Sequence, residues 1–503
     1  MAFVASCFIL SFRAMLMAII SSKLSYAVRM PVLAKYLGLL AFMLALLTLV
    51  PLVAAMLFED FHIALRYLVV IAVLMILWNV SRSIVEPRHI QTNEALTIVA
   101  LAFILSPLLM TFPFMGSGLT FYNALFEAVS AVTTTGLTVT SELAGKSQTF
   151  LFSRAWMQWY GGLGIIVLSV ALLMGSQISS RSLSVPLGGE TLATTTRTHA
   201  RQMLFIYSSL TLAGIAVVWL ITGSGMMAVN HVLAAVSTGG FSSFDNSLAG
   251  IESWYSRFAI MGFGLCGALP LSLYAVTCSK NWRKGIQDTE LHALLVAVVV
   301  VALLLLVSFG LHSGMQFGEA AGHALSLAIS AQSTTGFSTL DLSLIDDSAK
   351  LSIIVSMLIG GGVGSTAGGI KLLRLLILLR LIQVVLQRTT MPSKAVLYPK
   401  LGGKILDDME IQRALILILL FLGVVASSWC AFLIYGYEPM NALFEVVSAS
   451  ATVGLSTGIT SAEMPVLLKL ILCLDMLFGR LEIIALLVVL YLPNWIGKRK
   501  ELV

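Results

Sequence analysis

NALFEAVSAVTTTGLT at residues 123–138 and NALFEVVSASATVGLS at residues 441–456 nearly repeat each other, and two weaker copies lie between them: NHVLAAVSTGGFS at 230–242 and HALSLAISAQSTTGFS at 323–338. The four align on Gly136, Gly240, Gly336 and Gly454. Two positions earlier stands a threonine every time: Thr134, Thr238, Thr334, Thr452. Between threonine and glycine lie Thr135, Gly239, Thr335 and Val453. Leu137, Phe241, Phe337 and Leu455 follow, then Thr138, Ser242, Ser338 and Ser456. An alanine always stands five before the glycine: Ala131, Ala235, Ala331, Ala449. The glycines are 104, 96 and 118 residues apart. A recurring period marks repeated structural units. About 100 residues accommodates one span, a short re-entrant segment, a second span and a link.

Composition identifies the solvent of these units. The chain has 503 residues, 58% hydrophobic and only 11% charged; a soluble domain carries about 25% charged residues. Apolar runs of membrane-spanning length, about 20 residues, recur throughout. They read as spans at 36–58, 64–81, 95–115, 150–175, 202–223, 253–278, 290–312, 349–388, 411–436 and 463–493. With the N-terminus in the cytoplasm, alternation puts 23 of the 30 Lys and Arg on the cytoplasmic side, as the positive-inside rule requires. The formal charge of +6 is therefore spread over short loops, with no basic domain for nucleic acid. The same count puts all four Thr-x-Gly segments on the outer side.

The expected fold is an all-α polytopic membrane protein of four tandem span–pore-loop–span repeats in pseudo-fourfold arrangement, plus two extra N-terminal spans. The divisions are an N-terminal segment 1–35 of uncertain role, two extra helices 36–81, and repeats at 95–175, 202–278, 290–388 and 411–495. The first 30 residues fit an interfacial helix, a short extra span or a start-site extension better than a cleaved signal. An even number of spans per unit orients all units alike, around an axis along the membrane normal.

Non-helical backbone at membrane depth is tolerated where it lines a wet cavity or is buried in protein. Small side chains and glycine let successive carbonyls turn towards the axis. Four such segments can form rings of oxygens that replace a cation's hydration shell. The short helix before each turn aims its partly negative C-terminal end at the same place. No cluster of polar catalytic groups suggests an enzyme, and the seven histidines form no metal motif. The five cysteines, Cys7, Cys266, Cys278, Cys430 and Cys473, read as buried small hydrophobes.

Over roughly residues 36–495 the chain resembles the Trk/Ktr/HKT superfamily of potassium transporters, specifically the bacterial TrkH-type membrane subunit. The likeness rests on the four repeated segments, on WMQWYGGLGIIVL at 156–168, on GGGVGSTAGGIK at 360–371 and on FGRLEI at 478–483. The two leading spans favour the TrkH type over the shorter Ktr type. The resemblance implies potassium uptake across a bacterial inner membrane and a homodimer with one pore per chain. It also implies a separate cytosolic nucleotide-binding regulatory subunit, TrkA-like, and no cofactor beyond the transported K+. In plant relatives a serine at the first filter glycine accompanies sodium transport; here Gly136 and its three counterparts favour potassium. A sodium-selective or proton-coupled carrier of the same architecture is the alternative.

A gate is expected in 349–388. As one helix this run would be about 60 Å long, twice the hydrocarbon thickness. Gly360, Gly361, Gly362, Gly364, Gly368 and Gly369 place the break, with Ser365 and Thr366 among them; glycine is a poor helix former by about 1 kcal/mol. Arg480 lies deep in the last span, where an arginine costs at least about 2.5–3.5 kcal/mol and marks a site. The resemblance puts it beside the glycine loop as a barrier to ions. Asp475 and Glu482 are the acidic residues near it in sequence, and Glu127 and Glu445 are expected to bond within their repeats.

Overall fold

The computed structural model describes residues 26–85, 90–175, 192–277, 283, 285, 287–312, 314–392 and 397–496, with 165–175, 192–199 and 404 by backbone only. Helix α1 (Met30–Leu57) and α2 (Phe61–Arg82) form a leading antiparallel pair. Of the N-terminal segment read from sequence, residues 1–25 lie outside the described residues; 30–35 are the first turns of α1.

Four units follow. Repeat 1 comprises α3 (Thr92–Met115), the pore helix α4 (Phe121–Val132) and α5 (Gln148–Gly175). Repeat 2 comprises α6 (Leu192–Thr222), α7 (Gly225–Val236), α8 (Trp254–Gly267) and α9 (Leu271–Thr277). Repeat 3 comprises α10 (Thr289–His312), α11 (Phe317–Gln332), α12 (Asp347–Leu358) and α13 (Leu372–Thr389). Repeat 4 comprises α14 (Asp408–Ile434), α15 (Pro439–Ser450), α16 (Val466–Arg480) and α17 (Ile484–Leu490). A two-residue-per-strand hairpin, Lys400–Leu401 with Lys404–Ile405, turns on Gly402 and Gly403, both with positive φ as a tight hairpin requires.

The four units close on one another. Each pore helix packs on its own repeat's first helix, and each second helix packs on the next repeat's pore helix: α5 on α7, α8 on α11, α12 on α15, and α16 back on α4. The protein is thus an all-α, multi-pass membrane protein with a pseudo-fourfold core. Glycines in three second helices permit close approach. A Cβ on Gly161, Gly267 or Gly479 would overlap the carbonyl of Val132, Val236 or Ser450, each four residues before the aligned glycine of its repeat. The seam between start and end is polar. Arg29 and Glu94 form a buried bidentate pair (2.8 and 2.9 Å), and Val28 N–H donates to Asn494 O at 2.9 Å.

Two spans read as continuous are broken. The expected 253–278 span bends by 93° between α8 and α9. Pro270 precedes α9, and proline removes a donor and clashes with the turn before it. The expected 463–493 span stops at Arg480 and restarts at Ile484, with no glycine or proline among Leu481, Glu482 and Ile483. Glu482 and Ile483 take left-handed φ of 53° and 64°, costly for a β-branched side chain. The Arg374–Glu482 ion pair and the Ile483 N–H bond to Phe478 O (2.9 Å) hold that turn.

Candidate functional site

All four pore helices end at the same place, four residues before the glycine. Each then makes the same turn. The amide of Thr134, Thr238, Thr334 or Thr452 donates to the alanine carbonyl three residues back, at 2.8–3.2 Å. The amides of Thr135, Gly239, Thr335 and Val453 donate to carbonyls five residues back, at 2.7–2.9 Å. This is the double hydrogen bond of a left-handed helix stop, whose left-handed position glycine usually fills. Here threonine fills it, with φ of 53°, 53°, 54° and 49°. Four β-branched residues held in a disfavoured region at one fourfold position indicate a constraint other than stability. The hydroxyls of Thr134 and Thr452 are buried and have no hydrogen-bond partner among the described residues.

The glycines close the ring. Gly136, Gly240, Gly336 and Gly454 have φ of 91°, 73°, 79° and 93°. A Cβ on Gly136 would overlap the carbonyl oxygen of Gly239; on Gly240, that of Thr335; on Gly336, that of Val453; on Gly454, that of Thr135. Each glycine therefore abuts the backbone of the next repeat, and the fourth abuts the first. The structure brings all sixteen sequence-predicted filter residues into these four matched turns. Leu137, Phe241, Phe337 and Leu455 are buried behind them.

The chain that leaves each turn is pinned to its own pore helix. Glu127 Oε1 accepts from Thr138 Oγ1 (2.5 Å), Val139 N (2.8 Å), Thr140 N (3.1 Å) and Thr140 Oγ1 (2.9 Å). Glu445 accepts from Ser456 Oγ (2.6 Å), Thr457 N (2.7 Å) and Thr460 Oγ1 (2.7 Å). Histidines do the same work in repeats 2 and 3. His231, nine residues before its glycine like Glu127 and Glu445, bonds Ser242 at 3.1 Å. His323, one turn earlier in its helix, bonds Thr339 at 2.9 Å. The offset from the glycine was the available signal. Glu127 also pairs with buried Arg154 at 3.1 Å, whose guanidinium lies 3.9 Å from the Phe241 ring. Removing one member of a buried pair leaves an uncompensated charge, at about 3–5 kcal/mol. Glu127→Gln is therefore expected to lower thermal stability in detergent more than Glu445→Gln, since Glu445 bonds hydroxyls and an amide. Equal losses would count against the Arg154 pairing.

The glycine-rich run forms a loop between α12 and α13. Its ends are tied: Ile370 N–H donates to Leu358 O (2.9 Å) and Gly360 N–H to Ile370 O (3.0 Å). Gln332, at the end of its pore helix, donates to Ile359 O at 2.6 Å. Between these ties the loop meets repeats 2, 3 and 4 beside the turns, and Arg480 links it to repeat 1. Thr366 Oγ1 donates to Val236 O (3.1 Å) and Gly267 O (2.9 Å) in repeat 2. Gly368 N–H donates to the hydroxyl of Thr334 in repeat 3 at 2.9 Å. A Cβ on Gly368 would strike Thr452 Oγ1 and Ala451 O in repeat 4. Arg480 donates to Thr366 O (2.6 Å) and to Gly161 O of repeat 1 (3.1 Å). The loop and Arg480 together thus contact all four repeats next to the ring. Arg480 pairs with neither acidic neighbour: Asp475 accepts from Ser428 at 2.8 Å, and Glu482 binds Arg374. Gly360, Gly361, Gly362, Gly364, Ser365 and Gly369 complete the loop. The bend after α8 supplies carbonyls to it, with Gly362 N–H on Ala268 O at 3.1 Å. Glu290, at the start of α10, accepts from Val363 N–H at 2.8 Å.

A family model described as a cation transport protein matches residues 59–494. A Trk system potassium uptake protein of Halomonas elongata is 29% identical over 489 residues, covering 91% of this chain and 98% of that one. An uncharacterized cation transporter of Methanocaldococcus jannaschii is 26% identical, covering 88% and 92%. The crystal structure of the potassium transporter TrkH from Vibrio parahaemolyticus superposes with a TM-score of 0.83 at 26% identity, over 93% of this chain and all of that one.

Proposed function

Because the chain belongs to the TrkH family of cation transport proteins, and is a membrane transporter rather than an enzyme, we propose that it takes up potassium through a gated pore with a four-segment selectivity filter. The observation that carries this reading is the closed ring of glycines against next-repeat carbonyls, next to a loop that together with Arg480 contacts all four repeats. Carbonyl rings replace a cation's water shell. The four pore-helix C-termini add partial negative charge at the same level. Thr134, Thr238, Thr334 and Thr452 supply a lower ring of hydroxyl and carbonyl oxygens. All four ring positions are glycine, which supports potassium over sodium. Relatives named as Trk potassium uptake proteins add weight at modest identity.

Residues 360–369 and Arg480 form the gate in this reading. The loop fills the axis, and a fixed guanidinium beneath a cation filter opposes ion passage. Opening requires that the loop leave Thr334, Thr366's carbonyl partners and Arg480. The Glu290–Val363 bond links the loop to the start of α10. That link suits control by a cytosolic, nucleotide-binding TrkA-like subunit. The assembly is a homodimer in a bacterial inner membrane, each chain with its own pore.

Purified protein in liposomes tests the reading. An outward K+ gradient should drive valinomycin-independent K+ efflux, increased by the cytosolic partner. Absence of K+ flux with and without that partner would sink the potassium assignment. Flux of Na+ in preference to K+ would install the sodium reading instead.

A further inference from the structure

Gln158 is wholly buried on α5, and no part of the proposed ion pathway so far needs it. Its carboxamide nevertheless grips the filter of the following repeat. Nε2 donates to Gly239 O at 2.5 Å, and Oε1 accepts from Phe241 N–H at 3.2 Å. One side chain thus brackets the ring glycine Gly240 from both sides.

The same side chain accounts for an irregularity in the repeats. Three filters place Thr135, Thr335 or Val453 before the ring glycine, whereas repeat 2 places Gly239. Gly239 is not among the residues with positive φ, so its torsions do not require glycine. A Cβ there would instead overlap the carboxamide of Gln158. Repeat 2 therefore carries two consecutive glycines, the most permissive backbone available, in a ring whose oxygens must hold their positions.

The neighbouring seam inverts the arrangement. Gly161, Gly267 and Gly479 occupy matching places in their second helices, each against the end of its own pore helix. Three residues earlier stand Gln158, Gly264 and Met476. Gly264 leaves space that the Thr335 side chain of repeat 3 fills, with Oγ1 2.6 Å from where a Cβ would lie. Between repeats 1 and 2 the helix side chain is large and the filter residue has none. Between repeats 2 and 3 the helix residue has none and the filter residue is large.

We infer that Gln158 is a positioning residue that sets ion selectivity by fixing the repeat-2 quarter of the carbonyl ring. Its N–H holds the Gly239 oxygen, and its own oxygen holds the Phe241 amide. The Gly239–Gly240 backbone then has the stiffness that side-chain packing gives the other three segments. A ring free to contract at one quarter would accommodate the smaller Na+ better. One lone pair of the Gly239 oxygen is engaged by Gln158. This inference rests on the potassium reading above.

The test is the K+/Na+ permeability ratio of purified variants in liposomes, with thermal stability measured in parallel. Gln158→Leu keeps the volume and removes both bonds. Gln158→Glu keeps the shape and removes the donor to Gly239. Each is expected to lower the ratio by about tenfold, a change of about 1.4 kcal/mol between the two ions. The double variant Gln158→Gly with Gly239→Thr rebuilds the seam found between repeats 2 and 3, and is expected to recover most of the ratio lost in Gln158→Gly. A ratio equal to the parent's in a folded Gln158→Leu or Gln158→Glu protein, with parental K+ flux intact, would overturn the inference and leave the potassium reading standing. So would a folded double variant no more selective than Gln158→Gly. Absence of K+ flux in the parent would remove both.

Discussion

Gly136→Ser should reduce the K+/Na+ permeability ratio by about tenfold or more, and Gly458→Ala should leave it unchanged. Both glycines have φ near 90°, at 91° and 90°. A side chain at either must adopt a left-handed conformation that costs roughly 1–2 kcal/mol. The two differ in what a Cβ meets. At Gly458 nothing lies within 4 Å; at Gly136 the new atom would overlap the carbonyl of Gly239 and press on Gly240. The serine can be accommodated only if the Gly239 oxygen moves. That oxygen belongs to the ring, and it is the one Gln158 holds. The expected signature is therefore a selectivity change larger than the stability change. Ion flux and thermal unfolding of both variants separate the two. A parental permeability ratio in Gly136→Ser would remove the four-carbonyl ring as the selective element.

Arg480→Ala should raise K+ flux without the cytosolic partner by about tenfold or more. The guanidinium joins the loop to repeat 1 through Thr366 O and Gly161 O, and among the described residues no carboxylate pairs with it. An unpaired charge at this depth costs at least about 2.5–3.5 kcal/mol, so its removal is expected to spare folding. What is lost is a positive charge below the filter and one of the loop's anchors. Deletion within 360–369 should act in the same direction through loss of the plug itself. Single-channel or liposome flux at matched protein density measures both. A lower or unchanged flux from folded Arg480→Ala would rule out the gate assignment.

Much of the architecture was legible because membrane folding leaves plain marks. Apolar length marks a membrane protein, and a period of about 100 residues fixes the repeat. Thr134 and Gly136 with their three counterparts were legible because they recur at constant offsets. The break at Gly360–Gly369 was legible from glycine content. The break after Arg480 was not, because Leu481, Glu482 and Ile483 are ordinary helix residues locally. Their left-handed turn is held by a partner far along the chain, Arg374 of another repeat, which pairs with Glu482. The bend at Pro270 had a local cause, but its purpose appears only when the loop of repeat 3 takes up the carbonyls of Gly267 and Ala268.

His231 and His323 show the boundary between the two kinds of information. Their distance along the chain from a filter glycine is a sequence property, whereas their bonds to Ser242 and Thr339 depend on the chain folding back on its own pore helix. The sequence by itself determined the solvent, the number of repeats and the residues of the four matched turns. These follow from hydropathy, charge and periodicity, which act residue by residue. Only the tertiary structure decided that each glycine meets the next repeat's carbonyl, that the loop and Arg480 together reach all four repeats, and that Gln158 grips the turn of the next repeat while Arg154 joins its own Glu127 to Phe241 of that repeat. Most of those contacts join segments roughly 80 to more than 300 residues apart. No local preference encodes them; they arise from the order in which four similar units close into a ring.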